Sequence, residues 1–323
     1  HISFRLMAKK ILILGNGFDI DLGMKTRYSD FAKSRYWDEL MENVYGISQD
    51  LLGVLKEAKE KSDWFDIEQV IYDYAAAVSN EWCDATKDKE EFARLVDALA
   101  NYLQEVQRKQ DYNNKSIAFQ VLREIVNTGE YHIYTFNYTQ VQKVAEAYNL
   151  QIDPSAITHM HGSLDNHSII LGILADSSVS ISREYSFLYK DNSRFYMPNH
   201  MYEDLENARD VVFFGHSING MDFPYFKNFF VKQSGMNGEC KRKNITIFTY
   251  DENSDMQIRD SIRGAQVDVT QLFHRNDINF IQTKQLYAKD EIEEEKFQAF
   301  IKRIRTPALR ISVGKRKSNP YAW

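Results

Sequence analysis

Several short segments of the chain carry residue types able to do chemistry. Gly15-Asn16-Gly17-Phe18-Asp19 follows an apolar run, and glycines there let a backbone turn tightly and bring amide N–H groups, with a helix N-terminus, against a phosphate. The dinucleotide fingerprint G-x-G-x-x-G fails at its third glycine, where Ile20 stands, and the Walker lysine is missing. Both absences argue against an ordinary dehydrogenase or P-loop ATPase. The segment holds a phosphate, or it is a plain strand-to-helix turn capped by Asn16 or Asp19. Thr135-Phe136-Asn137-Tyr138-Thr139 puts Asn137 after another apolar run, in the crevice where open α/β sheets bind ligands. Its amide can donate to and accept from one water, or it can cap the following helix.

His159-Met160-His161-Gly162 spaces two histidines by two residues, which on a strand share one face. That spacing suits a metal pair, yet no third or fourth ligand stands at a useful distance. Alternatively His161, beside a glycine at a strand end, serves as a general base and His159 is structural. The run Gly215-His216-Ser217-Ile218-Asn219-Gly220 resembles a nucleophile elbow, but that motif needs glycine where Asn219 stands. Gly215, His216 and Ser217 fit better as a loop for a phosphate or ribose. Asp222 to Phe226 should open the next helix, with Pro224 in its first turn. Asp251-Glu252-Asn253 reads as a turn, or as carboxylates for ribose hydroxyls. Lys241-Arg242-Lys243 reads as a solvated turn at the opposite rim.

The elements that must position these residues are short apolar runs: Lys10 to Leu14, Tyr131 to Phe136, Ile157 to Met160, Ser168 to Ile173, Asp210 to Phe214, Ile245 to Tyr250 and Ile278 to Ile281. Such runs read as buried parallel strands. Crossover helices such as Gln140 to Asn149 fit between them, so the expected fold is α/β, a doubly wound, mostly parallel, Rossmann-like sheet. Phe31 to Asn127 breaks the alternation. Phe92, Leu95, Val96, Leu99, Leu103 and Val106 follow helical spacing, as do Ile67, Val70, Ile71, Tyr74 and Val78. We expect a core at 7–31 and 128–305, a large helical insertion after the first strand at 32–127, and a polar tail at 306–323. The tail is preceded by a charged helix, Asp290 to Arg305, acidic first and basic last. Residues 1–6 read as an expression-tag remnant before a native Met7.

The 323 residues are 43% hydrophobic and 27% charged, enough for a packed core. A net charge of −6 provides no whole-chain basic footprint for nucleic acid. Cys83 and Cys240 stand far apart, which excludes a disulfide framework or zinc ribbon and fits a cytoplasmic protein. No apolar stretch reaches the roughly 18 residues of a membrane span. Aromatics at 13% fit deep clefts or an oligomeric face, and a homo-oligomer is expected.

Taken in order, Gly15 to Asp19, Thr26-x-Tyr28-x-Asp30-Phe31, Phe136 to Thr139, His159-x-His161-Gly162, and Gly215-His216-Ser217 with Asp222, Tyr225 and Phe226 resemble the bacteriophage abortive-infection AbiH family. The resemblance spans about Lys10 to Phe230; Lys25 stands where that family has proline. The same order is similar to the sirtuin-type NAD-binding fold, which implies roles residue by residue. Gly15, Asn16 and Gly17, with Phe18 and Asp19 beside them, would hold a pyrophosphate. Thr26, Tyr28 and Phe31 would belong to a cover over the nicotinamide ribose, with Tyr138 near it. Asn137 and His161 would match the catalytic pair, and Gly215, His216, Ser217 and Asp222 would line a phosphate and ribose loop. The four-cysteine zinc module of sirtuins is missing, so the resemblance stops short of protein deacylation. It implies an antiphage protein that consumes NAD, with Asn137 orienting a water and His161 accepting a proton. It also implies no metal cofactor, and a phage-derived trigger or co-encoded defence partner. Two other readings stay open: a nucleotide-binding sensor without chemistry, and a metal-dependent hydrolase or nuclease using His159, His161 and His216.

Overall fold

The computed structural model describes residues 10–44, 49–62, 65–78, 84–174, 181–218, 220–236 and 238–306. Residues 1–9, Cys83, Asn219 and the chain beyond Thr306 lie outside the described residues, and with them the expected tag remnant, the expected start at Met7 and nearly all of the expected polar tail. Six strands form one sheet: β1 (Lys10–Leu14), β2 (Tyr131–Thr135), β3 (Ile157–His159), β4 (Asp210–Phe214), β5 (Asn244–Thr249) and β6 (Asp277–Gln282). Their order is β3-β2-β1-β4-β5-β6, and every pairing is parallel. This is the classic doubly wound order, in which the crossovers reverse direction between β1 and β4.

The side-chain alternation of β1 explains why it lies in the middle. Ile11 and Ile13 enter one core, Leu12 and Leu14 the other, and all four are fully buried. The Leu12 face is covered by α1 (Asn16–Asp21), α7 (Ile117–Thr128), α8 (Val141–Ala147), α13 (Thr283–Tyr287) and α14 (Glu291–Arg305). The Ile11 face is covered by α9 (Met201–Asn207), α10 (Pro224–Gln233), α11 (Glu252–Gly264) and α12 (Val269–Arg275). Ser116 starts α7 by accepting from Phe119 N–H, and Gly129 ends it in the left-handed region at φ +62°. Pro224 occupies the first turn of α10, as its spacing predicts.

Between β1 and α7 lie α2 (Tyr28–Phe31), α3 (Arg35–Met41), α4 (Leu51–Lys61), α5 (Ile67–Ala77) and α6 (Ala85–Arg108). They build a third core of their own, around Phe31, Trp37, Leu55, Ile71, Leu95 and Leu99. Acidic side chains of α6 stitch it together: Asp88 accepts from Leu51 N–H and from the Tyr74 and Tyr185 hydroxyls, and Glu91 accepts from Leu52 N–H. Two carboxylates thus satisfy and electrostatically favour the start of α4.

Two expectations need correction. Ser168 to Ile173 is not a strand of the sheet; it makes a single bridge, Ile173 to Tyr189. Its apolar residues Ile169, Leu171 and Ile173 are buried in the helical core instead, so the run is apolar because of helix contacts and not because of strand neighbours. Lys243 is not solvated. It is 2% exposed and donates to the carbonyls of Glu206 and Ala208 at the end of α9, where a cation suits the helix dipole. Burial pulls its ammonium down to about 8. Arg242 is exposed and paired with Asp277.

At the reversal point the loops after β1 and β4 touch through backbone. Gly15 N–H donates to Phe214 O and Gly17 N–H to Gly215 O, at 3.0 and 2.9 Å. A Cβ on Gly215 would lie 2.4 Å from Gly17 C and Phe18 N, and Gly215 has φ +63°. Gly215→Ala therefore combines a backbone clash with left-handed strain, and should destabilise by about 3 kcal/mol or more. Gly23 has φ +90° with nothing within 4 Å of a Cβ, so Gly23→Ala should lose only about 1–2 kcal/mol. Urea titration of the two variants checks the difference; equal losses would refute the close-packing account.

Candidate functional site

The carboxyl ends of β1 to β4 carry the Gly15, Asn137, His161 and Gly215 motifs, and the structure sorts them into two clusters, whereas Asp251, after β5, caps α11 by accepting from Ser254 N–H. The first is built on α1. Asp19, 3% exposed, accepts from Asn137 Nδ2 at 2.8 Å and from the Thr139 hydroxyl. Asn137 Nδ2 also donates to Gly15 O at 3.1 Å, and Asn137 N–H donates to Thr135 Oγ1. Both donor hydrogens of the Asn137 amide therefore hold the first loop against the end of β2. Burial is the largest influence on Asp19 and pushes its carboxyl up to about 7, against the lowering effect of the Thr139 and Asn137 hydrogen bonds. The exposed Asn16 carries the next layer: Thr26 Oγ1 donates to Asn16 Oδ1 at 2.5 Å, so the segment after α1 folds back over the first loop. Phe18 is core, edge-on to Phe214 at 5.7 Å, and Phe31 is core beside Trp37 at 5.6 Å.

The second cluster is ionic. His161 Nε2 lies 3.1 Å from Asp222 Oδ1. Lys190 Nζ lies 3.2 Å from the same Asp222 oxygen, 3.3 Å from His161 Nε2 and 3.0 Å from Glu68 Oε1. Lys190 is 0% exposed. Burial alone would discharge it, but the Asp222 and Glu68 carboxylates outweigh that and hold its ammonium above the ordinary lysine range. Asp222 is held well below the carboxylate range by His161 and Lys190, which overcome the cost of its burial. Burial raises Glu68, with Lys190 opposing.

Aromatic rings wall this cluster. Phe136 stands edge-on to His161 at 5.2 Å and to His216 at 4.5 Å. Tyr28 and Tyr138 pack on the helical core beside this cluster, and the Tyr138 hydroxyl donates to Ile170 O. Burial, reinforced by the Glu68 charge, raises both phenols. Tyr225 lies 6.4 Å from the His161 ring. His216 is buried, and that burial pulls its imidazole down to about 4. Its Nδ1 accepts from Ile218 N–H at 3.0 Å, so at neutral pH it is an uncharged brace for the loop. Ile218 pays for the turn with φ +50°, an unusual conformation for a β-branched side chain. Ser217 is exposed in this loop.

The structure thus brings His161, Asp222, Tyr28, Tyr138 and His216 to one place, and Gly15, Gly17, Asn137 and Asp19 to another along the same edge. His159 and His161 do not share a face. β3 ends at His159, and the chain turns at once, so His159 Nε2 lies near Gln142 at 3.5 Å while His161 turns to Asp222. Among the described residues no group of three or more His, Cys, Asp or Glu is placed to hold a metal ion, and no helix is long and apolar enough to cross a membrane. Glu68 and Lys190 escaped the sequence reading. Glu68 sits in the first turn of α5, where an acid ordinarily serves the helix dipole, and Lys190 lies in a stretch of short turns with no periodicity.

A family model described as bacteriophage abortive infection AbiH matches residues 11–241. No curated protein and no solved structure matches.

The raised carboxyl of Asp19 has a measurable sign. The folded chain keeps a proton up to about pH 7 that the unfolded chain releases near pH 4, so stability falls as pH rises between those values. Asp19→Asn cannot ionise and should abolish that part of the slope. Relative to wild type, the variant should gain on the order of 2–4 kcal/mol between pH 5 and pH 8. Parallel melting curves for the two proteins across that range would refute the assignment.

Proposed function

Because the chain belongs to the bacteriophage abortive infection AbiH family, we propose that it acts in antiphage defence by binding NAD at the carboxyl edge of the sheet and hydrolysing it to nicotinamide and ADP-ribose. The observation that carries this reading is the buried His161–Asp222 pair, 3.1 Å apart, at the carboxyl ends of a sheet in the doubly wound order, where such folds place ligands.

In this reading the bond from the ribose C1′ to the nicotinamide nitrogen breaks, and its electron pair leaves with nicotinamide. The ribose passes through an oxocarbenium-like state, and the oxygen of a water closes on C1′. His161 takes the proton that this water releases. Asp222 orients the imidazole, and Lys190 fixes Asp222 in turn. The chain's task is positional and electrostatic. Asn137 has its amide nitrogen committed to Gly15 and Asp19, so it contributes by shaping the first loop and by its remaining carbonyl oxygen.

A second reading, a nucleotide-binding sensor without turnover, draws on one observation: both donor hydrogens of the Asn137 amide are taken by Gly15 O and Asp19, so that amide does not donate to a water at C1′.

Purified protein incubated with NAD should release nicotinamide, and phage-challenged cells carrying it should lose NAD. His161→Ala and Asp222→Asn should each lower turnover by roughly 10² to 10³ while circular dichroism shows both folded; Asp222→Asn also takes a carboxylate from the buried Lys190 and should melt earlier than wild type. NAD binding by calorimetry, with no product even in challenged cells, would select the sensor; neither binding nor product in either setting would remove both readings.

A further inference from the structure

The ionic cluster holds two carboxylates and one lysine. Asp222 Oδ1 is approached by His161 and Lys190 together. Glu68 Oε1 is buried against the same Lys190 ammonium, 3.0 Å away. Apart from the His161 imidazole, that one ammonium is shared between two carboxylates, and a dry carboxylate without a second cation is costly. Tyrosines stand beside this cluster: the Tyr138 and Tyr225 rings lie 6.3 and 6.4 Å from the His161 ring, and Tyr28 packs with Tyr138 on the helical core. Aromatic walls with a carboxylate behind them are the usual receptor for an organic cation. The cluster is also reachable, since the Asp222 side chain is 19% exposed and Tyr28 and Tyr225 are only half-buried.

Resting on the nucleotide reading above, we infer that the Glu68 carboxylate, supplied by the helical insertion and backed by the tyrosine walls, selects the cationic pyridinium form of a pyridine nucleotide over its neutral dihydro form. Glu68 is a specificity-determining residue in this view. It supplies the charge that complements the ring, while His161 and Asp222 serve the bond that breaks. The insertion contributes directly to substrate choice, which the sheet alone would not make.

NAD+ and NADH differ by one hydride and one charge at this ring, so they are the natural probes. Binding is measured by calorimetry in the His161→Ala protein, where turnover does not deplete the ligand. NAD+ should bind at least about tenfold tighter than NADH, the scale of one cation–aromatic or charge contact. Glu68→Gln in the same background should remove that preference by weakening NAD+ and leaving NADH unchanged. Should that variant misfold, the wild-type protein still decides, because 1-methylnicotinamide (a pyridinium) should bind more tightly than neutral nicotinamide. Equal affinity for NAD+ and NADH, or a preference for NAD+ that Glu68→Gln leaves intact, would overturn the inference and leave the nucleotide reading standing. Binding of neither nucleotide would overturn both.

Discussion

A fully buried ammonium is the constraint on which much of the molecule depends. Lys190 has no exposed surface, so its charge must be answered inside the protein, and it is answered from two directions. Glu68 comes from the helical core and Asp222 from the loop that opens α10. Removing one partner of such a group typically costs about 3–5 kcal/mol, whereas an all-apolar replacement of the set is often neutral. Stability alone therefore gives no reason for the ions to be there. Their effect is to fix how the helical layer sits on the sheet, at the edge where the histidine stands.

The two clusters divide the labour along that edge. Asp19, Asn137 and Thr139 join the loop after β1 to the end of β2 with neutral or near-neutral hydrogen bonds. The ionic cluster joins β3, the turn before α10 and the insertion. Phe136 belongs to β2's far face and touches both His161 and His216, so the strand that carries Asn137 toward one cluster presses its neighbour into the other. Backbone contact between the Gly17 and Gly215 loops closes the arrangement, leaving little freedom for either loop to move alone.

Much of this was legible in the sequence where burial on both faces leaves a continuous apolar run. Lys10–Leu14 and Asp210–Phe214 match the expected strands residue for residue. The run at Ser168 to Ile173 misled because apolarity reports burial and not the partner, and its partner is the helical core. Lys243 misled because a lysine among basic neighbours looks solvated until a helix end is brought to it. At the site, His161 and Asp222 carried signals, a histidine beside a glycine and an acid before a proline. Glu68 and Lys190 carried none, since their meaning arises only when residues more than a hundred positions apart meet. Asn137 was legible as a strand-end amide, but its donors turned inward to Asp19, which no spacing could foretell.

The central position of β1 has a consequence for how the chain is made. It is the first strand among the described residues, yet its neighbours start only at Tyr131 and Asp210. During synthesis this uniformly apolar segment must wait, both hydrogen-bonding edges open, while the helices between them form and the later strands arrive. Topologies dominated by such distant pairings fold slowly and leave sticky intermediates. Until β4 is in place, the edges of β1 stay open to other chains, so the interval before the later strands arrive is the one in which this fold is most exposed to aggregation.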